Sequence, residues 1–171
     1  MKKLIIFLVI LFSTTGLLFS QAVPKFNLTK DGVNPVVLNF DMGLNAEQIY
    51  KRVKEWYAKS FQNPQTVIRV DTKNTLVKIA AFKEKAWKIR DNNFDHYYDL
   101  EYTLAIEIKD AKCRVTFATT ETKYKVWFNQ NGTTIPKFKE SEATFETSIN
   151  EPLASLYKYI KEPKKVVKDD W

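Results

Sequence analysis

Residues 98–119 constrain the fold of this chain more than any other stretch of its sequence. Between residues 98 and 108, apolar or aromatic side chains occupy every second position, and mostly polar ones fill the gaps. A period of two residues places these sets on opposite faces of a β-strand, so that one face is buried and the other meets solvent. After the polar turn 109–112, the alternation resumes over residues 113–117, which predicts a long antiparallel hairpin.

The first 22 residues have the layout of a secretory signal peptide. A start with two lysines precedes the apolar run 4–12, and small residues lead to a cut predicted after Ala22, with Ser20 as the alternative. Residues 4–19 fall short of the roughly 20 apolar residues that a membrane span needs, and no cysteine lies near the cut. We therefore expect export by a cleaved signal, to the periplasm or the medium, without a membrane span or an N-terminal lipid anchor.

One domain is expected in the mature chain. Removal of residues 1–22 leaves 149 residues and lowers the formal charge from +7 to +5, because two lysines leave with the signal. A charge of this size supports solubility and indicates no particular partner. We predict an irregular lead-in over residues 23–35, a single α+β domain over residues 36–162, and a flexible C-terminal tail over residues 163–171.

The domain begins with a predicted strand and a capped helix. Residues 36–41 are mostly apolar, which favours a strand. Asn45 is a favoured N-cap residue, and Gln48 three positions later completes the spacing of a capping box. The helix is expected to run to about Ser60, with one apolar face that requires a hydrophobic surface to cover it.

Further strands are predicted before and after the start of the hairpin. They lie over residues 66–71 and 76–82, and residues 83–90 either extend the second of these or bulge away from it. After residue 119, alternation at residues 124–128 indicates that the last strand of the hairpin continues.

A second helix is expected near the C-terminus, from about Ser148, with Pro152 in its first turn. The element order is then β-α-β-β-β-β-α. Strands that follow one another, with helices at two separate positions, predict an α+β fold in which an antiparallel meander carries both helices on one face.

Three stretches carry a family resemblance. They are the capped helix with the segment before it, the sequence Val-Ile-Arg-Val-Asp at 67–71, and the tyrosine-rich strand 97–102 that runs into residues 108–115. Together they resemble the bacterial secreted family called domain of unknown function 4468, which implies a TBP-like fold over roughly residues 36–160. The resemblance implies no catalytic residues. This chain departs from the family pattern at Ala111, where glycine is common, and in a longer segment at 123–139.

Few residues are available for metal or nucleophilic chemistry. His96 is the only histidine and Cys113 the only cysteine, so a zinc or copper site with several such ligands cannot be assembled, and no cofactor is expected. Four glycines without a glycine-rich motif offer no phosphate cradle. Cys113 falls in the apolar phase of its strand, which favours a buried hydrophobic residue over a reactive thiol.

The leading functional hypothesis is a non-enzymatic binding domain. The chain has many aromatic residues and no catalytic constellation, and the candidate contacts for a ligand or partner are Trp56, Tyr57, Tyr98 and Tyr102. The partner is not identified, and an apolar small molecule, a peptide or an envelope protein would each suit an apolar cleft beneath the helices. Nucleic acid is not expected, because the exported destination argues against it despite the basic and aromatic run 83–90.

The alternative hypothesis is a hydrolase in which His96, expected in a loop beside Asp95, works with nearby carboxylates. Asp99, Glu101 and Glu107 are further candidates, although the alternation of the strand already explains them as a solvated face.

Overall fold

A five-stranded antiparallel sheet supports the fold. The computed structural model describes residues 22–40 and 43–162. Apart from Ala22, the predicted signal peptide lies outside these residues, as does the predicted tail 163–171, so both stay predictions. The strands of the described chain are β1 (Leu28–Thr29), β2 (Gly32–Val33), β3 (Val36–Asn39), β4 (Ile68–Thr72), β5 (Leu76–Asp91), β6 (Phe94–Lys109) and β7 (Lys112–Thr119).

Three α-helices and two 3-10 helices accompany the strands. The α-helices of the described chain are α1 (Ala46–Ser60), α2 (Pro64–Val67) and α3 (Lys139–Lys161), and the 3-10 helices are Lys123–Trp127 and Pro136–Phe138.

The strand order is β3-β7-β6-β5-β4, with every neighbouring pair antiparallel. This order confirms the predicted meander, which β3 completes at the far edge. Along β6, Leu100, Leu104 and Ile106 are buried, whereas Glu101 and Glu107 are exposed, as the alternation predicts. The helices α1 and α3 pack against the buried face, which confirms the α+β fold class.

The capping box of α1 is confirmed. Asn45 Oδ1 accepts a hydrogen bond from the Gln48 N–H at 2.9 Å, and Gln48 Oε1 accepts one from the Asn45 N–H at 3.0 Å. Two backbone donors that the helix cannot satisfy internally are thereby paired. Local sequence is sufficient here because both partners lie within one turn.

The C-terminal helix is longer than predicted. It begins at Lys139 rather than near Ser148, so Pro152, expected in the first turn, lies inside α3. Ser141 and Phe145 are on its buried side, and this mixture of serine and phenylalanine concealed the helical period in the sequence. Pro152 removes one bond to a carbonyl four residues earlier, and packing of the helix against the sheet offsets that loss.

The chain after β7 forms a 3-10 helix, and the predicted continuation of the strand is wrong. Tyr124 and Trp127 are three residues apart, and both are buried. A 3-10 helix has three residues per turn, so this spacing puts both rings on one side. Val126, which a strand would place on the same face as Tyr124, is 64% exposed.

The lead-in, predicted as irregular, contains the short hairpin of β1 and β2 and joins the core. Phe26 and Leu28 are buried. Asn150 Oδ1 accepts a hydrogen bond from the Phe26 N–H at 2.7 Å, and Glu146 Oε1 accepts one from the Leu28 N–H at 3.1 Å. These bonds span 124 and 118 residues of chain, so no local pattern could have predicted them.

The strand β5 both extends and bulges over residues 83–90, which unites the two alternatives left open by the sequence. Its register against β6 shifts between Lys83 and Trp87, where three residues face Asp99 alone. Lys85 has a φ of 48°, in the left-handed region that side chains disfavour. Asp99 Oδ1 accepts a hydrogen bond from the Lys85 N–H at 2.8 Å, which stabilises the bulge.

An aromatic cluster made of Trp87, Tyr98, Trp127 and Phe145 lies beside this bulge. The rings of Trp87 and Tyr98 are stacked with centroids 4.3 Å apart, and Trp127 meets Trp87 edge-on at 4.9 Å. Phe145 of α3 contacts both tryptophans. The Lys123 ammonium lies 4.3 Å from the centroid of the Tyr98 ring and covers the cluster with a cation–π contact.

We expect Trp127→Ala to lower the free energy of unfolding by about 3–5 kcal/mol, because it leaves a cavity in the aromatic cluster. Trp127 is 0% exposed, whereas its neighbour Val126 is 64% exposed. The control Val126→Ala should change the free energy by less than about 0.5 kcal/mol. Urea denaturation of both variants measures the difference, and equal losses would contradict the assignment of the cluster as a core element.

Candidate functional site

Three of the four aromatic residues selected from the sequence form part of the core. Trp56 is buried, and its indole N–H donates to Ser155 Oγ at 3.0 Å. Tyr57 is buried, and Tyr98 is half-buried between Trp87 and Lys123. Their rings fill the space between helices and sheet that the sequence analysis expected as a cleft.

Tyr102 is half-buried near the surface. Its ring stacks on Phe117 with centroids 5.4 Å apart. Burial, and then the negative charge of Glu151, raise the pKa of the Tyr102 hydroxyl. Of the four candidates, Tyr102 is the one that combines a partly exposed ring with a concave surface on either side.

One of these concave surfaces, which we call the edge groove, has a volume of about 330 Å³. It lies between the C-terminal end of α1, the middle of α3 and the strand β5. Its apolar lining residues are Trp56, Phe61, Phe82, Tyr102 and Pro152. An ion pair between Lys83 Nζ and the Glu151 carboxylate lies beside them. The groove is therefore apolar at its base and charged at its rim, which is the usual character of a binding site.

The second surface, which we call the face depression, has a volume of about 450 Å³ on the sheet. Ala80, Thr103 and Ala118 lie opposite one another on three adjacent strands. Because their side chains are small, the surface of the sheet is recessed there. Arg69 and Glu101 provide its charges. Phe82 borders both this depression and the edge groove.

Phe82 is the residue that sequence reasoning missed. Val77 and Ile79 are buried on the inner side of β5, so Phe82 occupies the outward phase of the same strand. It is 55% exposed. A phenylalanine in the solvent phase of an amphipathic strand is the signal that could have identified it.

His96 and Asp95 do not form a pair in this structure. His96 is exposed on β6 opposite Ile89, rather than in the predicted loop, because β5 and β6 extend further than the sequence pattern indicated. Asp95 accepts hydrogen bonds from Lys88 Nζ and Arg90 Nε, each at 2.8 Å. Neighbouring residues of a strand direct their side chains to opposite faces, so His96 and Asp95 diverge.

The other carboxylates considered for catalysis have separate environments. Asp99 accepts the hydrogen bond of the bulge, Glu101 borders the face depression, and Glu107 is exposed. Across residues 22–40 and 43–162, no three histidine, cysteine, aspartate or glutamate side chains come together as a metal site would require. In the same ranges, no helix has the length and apolar character that crossing a membrane demands.

Cys113 is 1% exposed, and burial raises the pKa of its thiol to about 12. Relative to an ordinary thiol of pKa 9.0, this leaves on the order of a thousandfold less thiolate at neutral pH. We expect a disulfide-exchange thiol reagent to label the native protein far more slowly than the denatured protein, because the thiolate is the nucleophile. Rapid labelling of the native state, followed by absorbance, would contradict this expectation.

Hydrogen bonds from Arg90 and then Lys88 lower the pKa of Asp95 to about 2. The unfolded-state pKa is about 3.9, so the stabilisation by Asp95 is complete above that pH and is lost as pH falls toward 2. Asp95→Asn should therefore reduce the loss of unfolding free energy between about pH 3.9 and about pH 2. Urea denaturation at several pH values in this range measures that loss. Asp91→Asn is the control, since Asp91 is exposed and the described residues show no ion pair to it. A D95N profile parallel to that of the unmodified chain would contradict the assignment.

Comparison with known proteins identifies the fold. The model of the family described as domain of unknown function (DUF4468) with TBP-like fold matches residues 41–123. A TBP-like protein from Parabacteroides distasonis is similar at 13% identity and a TM-score of 0.57, over 83% of this chain and 99% of that chain. A DUF4468 family protein from Bacteroides ovatus is similar at 13% identity and a TM-score of 0.54, over 85% of this chain and 94% of that chain.

No curated protein matches the sequence at a significant level. Because both structural similarities are at low identity, they show the fold and carry no statement about activity. The family match ends at residue 123, where the first 3-10 helix begins and where the sequence departs from the family pattern. The resemblance indicated by the sequence is therefore confirmed: residues 41–123 of this chain match the DUF4468 family model, and the fold is TBP-like.

Proposed function

We propose that this protein is an exported, non-enzymatic binding domain that holds an apolar segment of an envelope partner in the edge groove. The observation that carries the proposal is Phe82, which is 55% exposed at the border of two concave surfaces. Burying a phenylalanine side chain is worth about 1.5–3 kcal/mol. A partner that covers Phe82 gains this energy without rearranging the core.

The filled interior favours a surface site over an internal ligand cavity. The aromatic residues Trp56, Trp87 and Trp127 are each at most 1% exposed and occupy the space between sheet and helices. An apolar molecule held inside would have to displace them. The edge groove needs no such displacement, because its apolar side chains already meet solvent at Phe82.

Two further observations support the proposal. The layout of the first 22 residues supports export, as argued above. The engagement of Asp95 with Lys88 and Arg90, and its divergence from His96, support a role other than hydrolysis.

A photo-crosslinking amino acid at Ser60 tests the site in cells that export the protein. Ser60 is exposed and lines the edge groove, so a bound partner should yield one dominant adduct. Phe82→Ser in the same chain should reduce that adduct at least about fivefold, because it removes roughly 1 kcal/mol or more of apolar contact. The adduct is measured by gel shift and mass spectrometry.

The crosslinker at Val126 is the matched control, since that residue is 64% exposed and does not line the groove. Adducts of equal yield at both positions, or an adduct at Ser60 that Phe82→Ser leaves unchanged, would show that the edge groove is not the binding site. Circular dichroism of F82S verifies that the fold is kept.

A further inference from the structure

We infer that the partner binds as an extended peptide, which adds a strand to the free edge of β5 between Ala80 and Glu84. This inference rests on the proposed function and specifies the chemistry of its partner. Three observations support it: the pairing of β5, the direction of the backbone groups of β5, and the two concave surfaces beside Phe82.

The edge of β5 is only partly paired. The strand β4 lies against β5 over Leu76–Ile79, whereas β5 continues to Asp91. Within the described chain, no strand pairs with that side of β5 beyond Ile79. An unpaired strand edge is a template for another strand.

The register of β5 against β6 shows where the backbone groups of Phe82 point. The Ile108 N–H donates to Thr75 O at 2.7 Å, so even-numbered residues of β6 direct their backbone groups to β5. Leu100 shares this parity and opposes Lys83. The preceding residue, Phe82, therefore directs its N–H and C=O away from β6.

A second hydrogen bond agrees with this alternation. Thr119 Oγ1 donates to Glu101 O at 2.6 Å, on the β7 side of β6. Odd-numbered residues of β6 thus face β7, and even-numbered residues face β5. Among the described strands, none lies on the side to which Phe82 directs its N–H and C=O, so both groups are available to a strand laid alongside.

Helix α3 limits the length of the free edge. Ser148 Oγ donates to Ala86 O, and Thr144 Oγ1 accepts a hydrogen bond from the Lys88 N–H at 3.3 Å. These two hydroxyl groups take the place of a strand beyond the bulge. The open edge therefore accommodates about five residues, or roughly 17 Å of extended peptide.

The two concave surfaces match the period of an added strand. Successive side chains of a strand point to opposite faces of the sheet. One set would enter the face depression of about 450 Å³, and the other would enter the edge groove of about 330 Å³. Phe82 lies between the two surfaces. A strand added beside Phe82 would therefore have one concave surface on each of its faces.

The lining of each surface specifies the peptide. The edge groove is lined by the rings of Phe61 and Tyr102 and by Pro152, so the side chain that enters it is apolar. The face depression presents Arg69 and Glu101, so the neighbouring side chains can be polar. The partner chemistry is therefore an extended segment with one apolar residue at its centre and no charge at that position.

Selection from a displayed library of random peptides on the mature chain provides the probe. Each selected peptide is resynthesised with one backbone nitrogen methylated at a time, and its affinity is measured by fluorescence anisotropy. Methylation removes a donor, so we expect a loss of about fivefold to tenfold at alternate positions and little change between them. Loss at every position, or at none, would overturn strand addition.

Two variants of the protein test the hydrogen bonds between the peptide and β5 by changing Phe82 instead of the peptide. F82A removes the side chain and keeps the backbone donor, whereas F82P also removes the donor. F82P should bind a selected peptide about fivefold to tenfold more weakly than F82A. Equal affinities of folded F82P and F82A would overturn the inference. If F82P does not fold, the methylation scan on the unmodified chain decides.

Occupants of the β5 edge other than an extended peptide would give different experimental results. A library that yields no binder, or a sedimentation experiment in which the free protein dimerises through Phe82, would overturn the peptide as the occupant. An adduct at Ser60 that requires Phe82, together with peptides that show no alternation, would retain the proposed function and overturn strand addition alone.

Discussion

Packing around Trp87 is the constraint on which the rest of the structure depends. Its ring stacks on Tyr98 of β6, meets Trp127 of the first 3-10 helix and contacts Phe145 of α3. Four elements of the fold, namely β5, β6, the first 3-10 helix and α3, therefore share one aromatic cluster. The bulge before Trp87 brings its ring to this position, and Asp99 stabilises the bulge through the Lys85 N–H. Because aromatic rings dominate the burial energy of a small domain, this cluster decides where the N-terminal half of α3 lies.

The same packing explains why one part of β5 is covered and another is open. Once α3 lies against the cluster, Thr144 and Ser148 satisfy the backbone groups at Lys88 and Ala86. At the other end, β4 covers β5 only as far as Ile79. Between these two covers, none of the described strands pairs with the edge, and the exposed Phe82 lies in that interval. Natural sheets commonly protect such edges, so an uncovered edge with concave surfaces on both sides favours recognition rather than an incidental gap.

The sequence predicted the features whose physical cause is local. The hairpin of β6 and β7 follows from alternation between buried and exposed positions, and the capping box at Asn45 follows from spacing within one turn. The lead-in, the 3-10 helix at Trp127 and the start of α3 could not be predicted in this way. Phe26 is held by Asn150, which lies 124 residues away, and a helix start at Lys139 acquires its stability from the sheet rather than from its own polar sequence. The candidate site shows the same division: Trp56 and Tyr102 were selected for their aromatic rings, but the fold alone places them with Phe82 in the lining of one groove.

By itself, the sequence determined the fold class, the order of the main elements, the family resemblance and the scarcity of residues for metal or nucleophilic chemistry. These properties depend on residue type and on short-range periodicity, which a single chain displays directly. Only the tertiary structure decided which aromatic residues are core and which border a surface. It also decided that, among the described strands, none pairs with the outer edge of β5 between Ile79 and Ala86. Burial and strand pairing depend on contacts between distant segments, so the same tyrosine or phenylalanine has a different role on each side of a sheet.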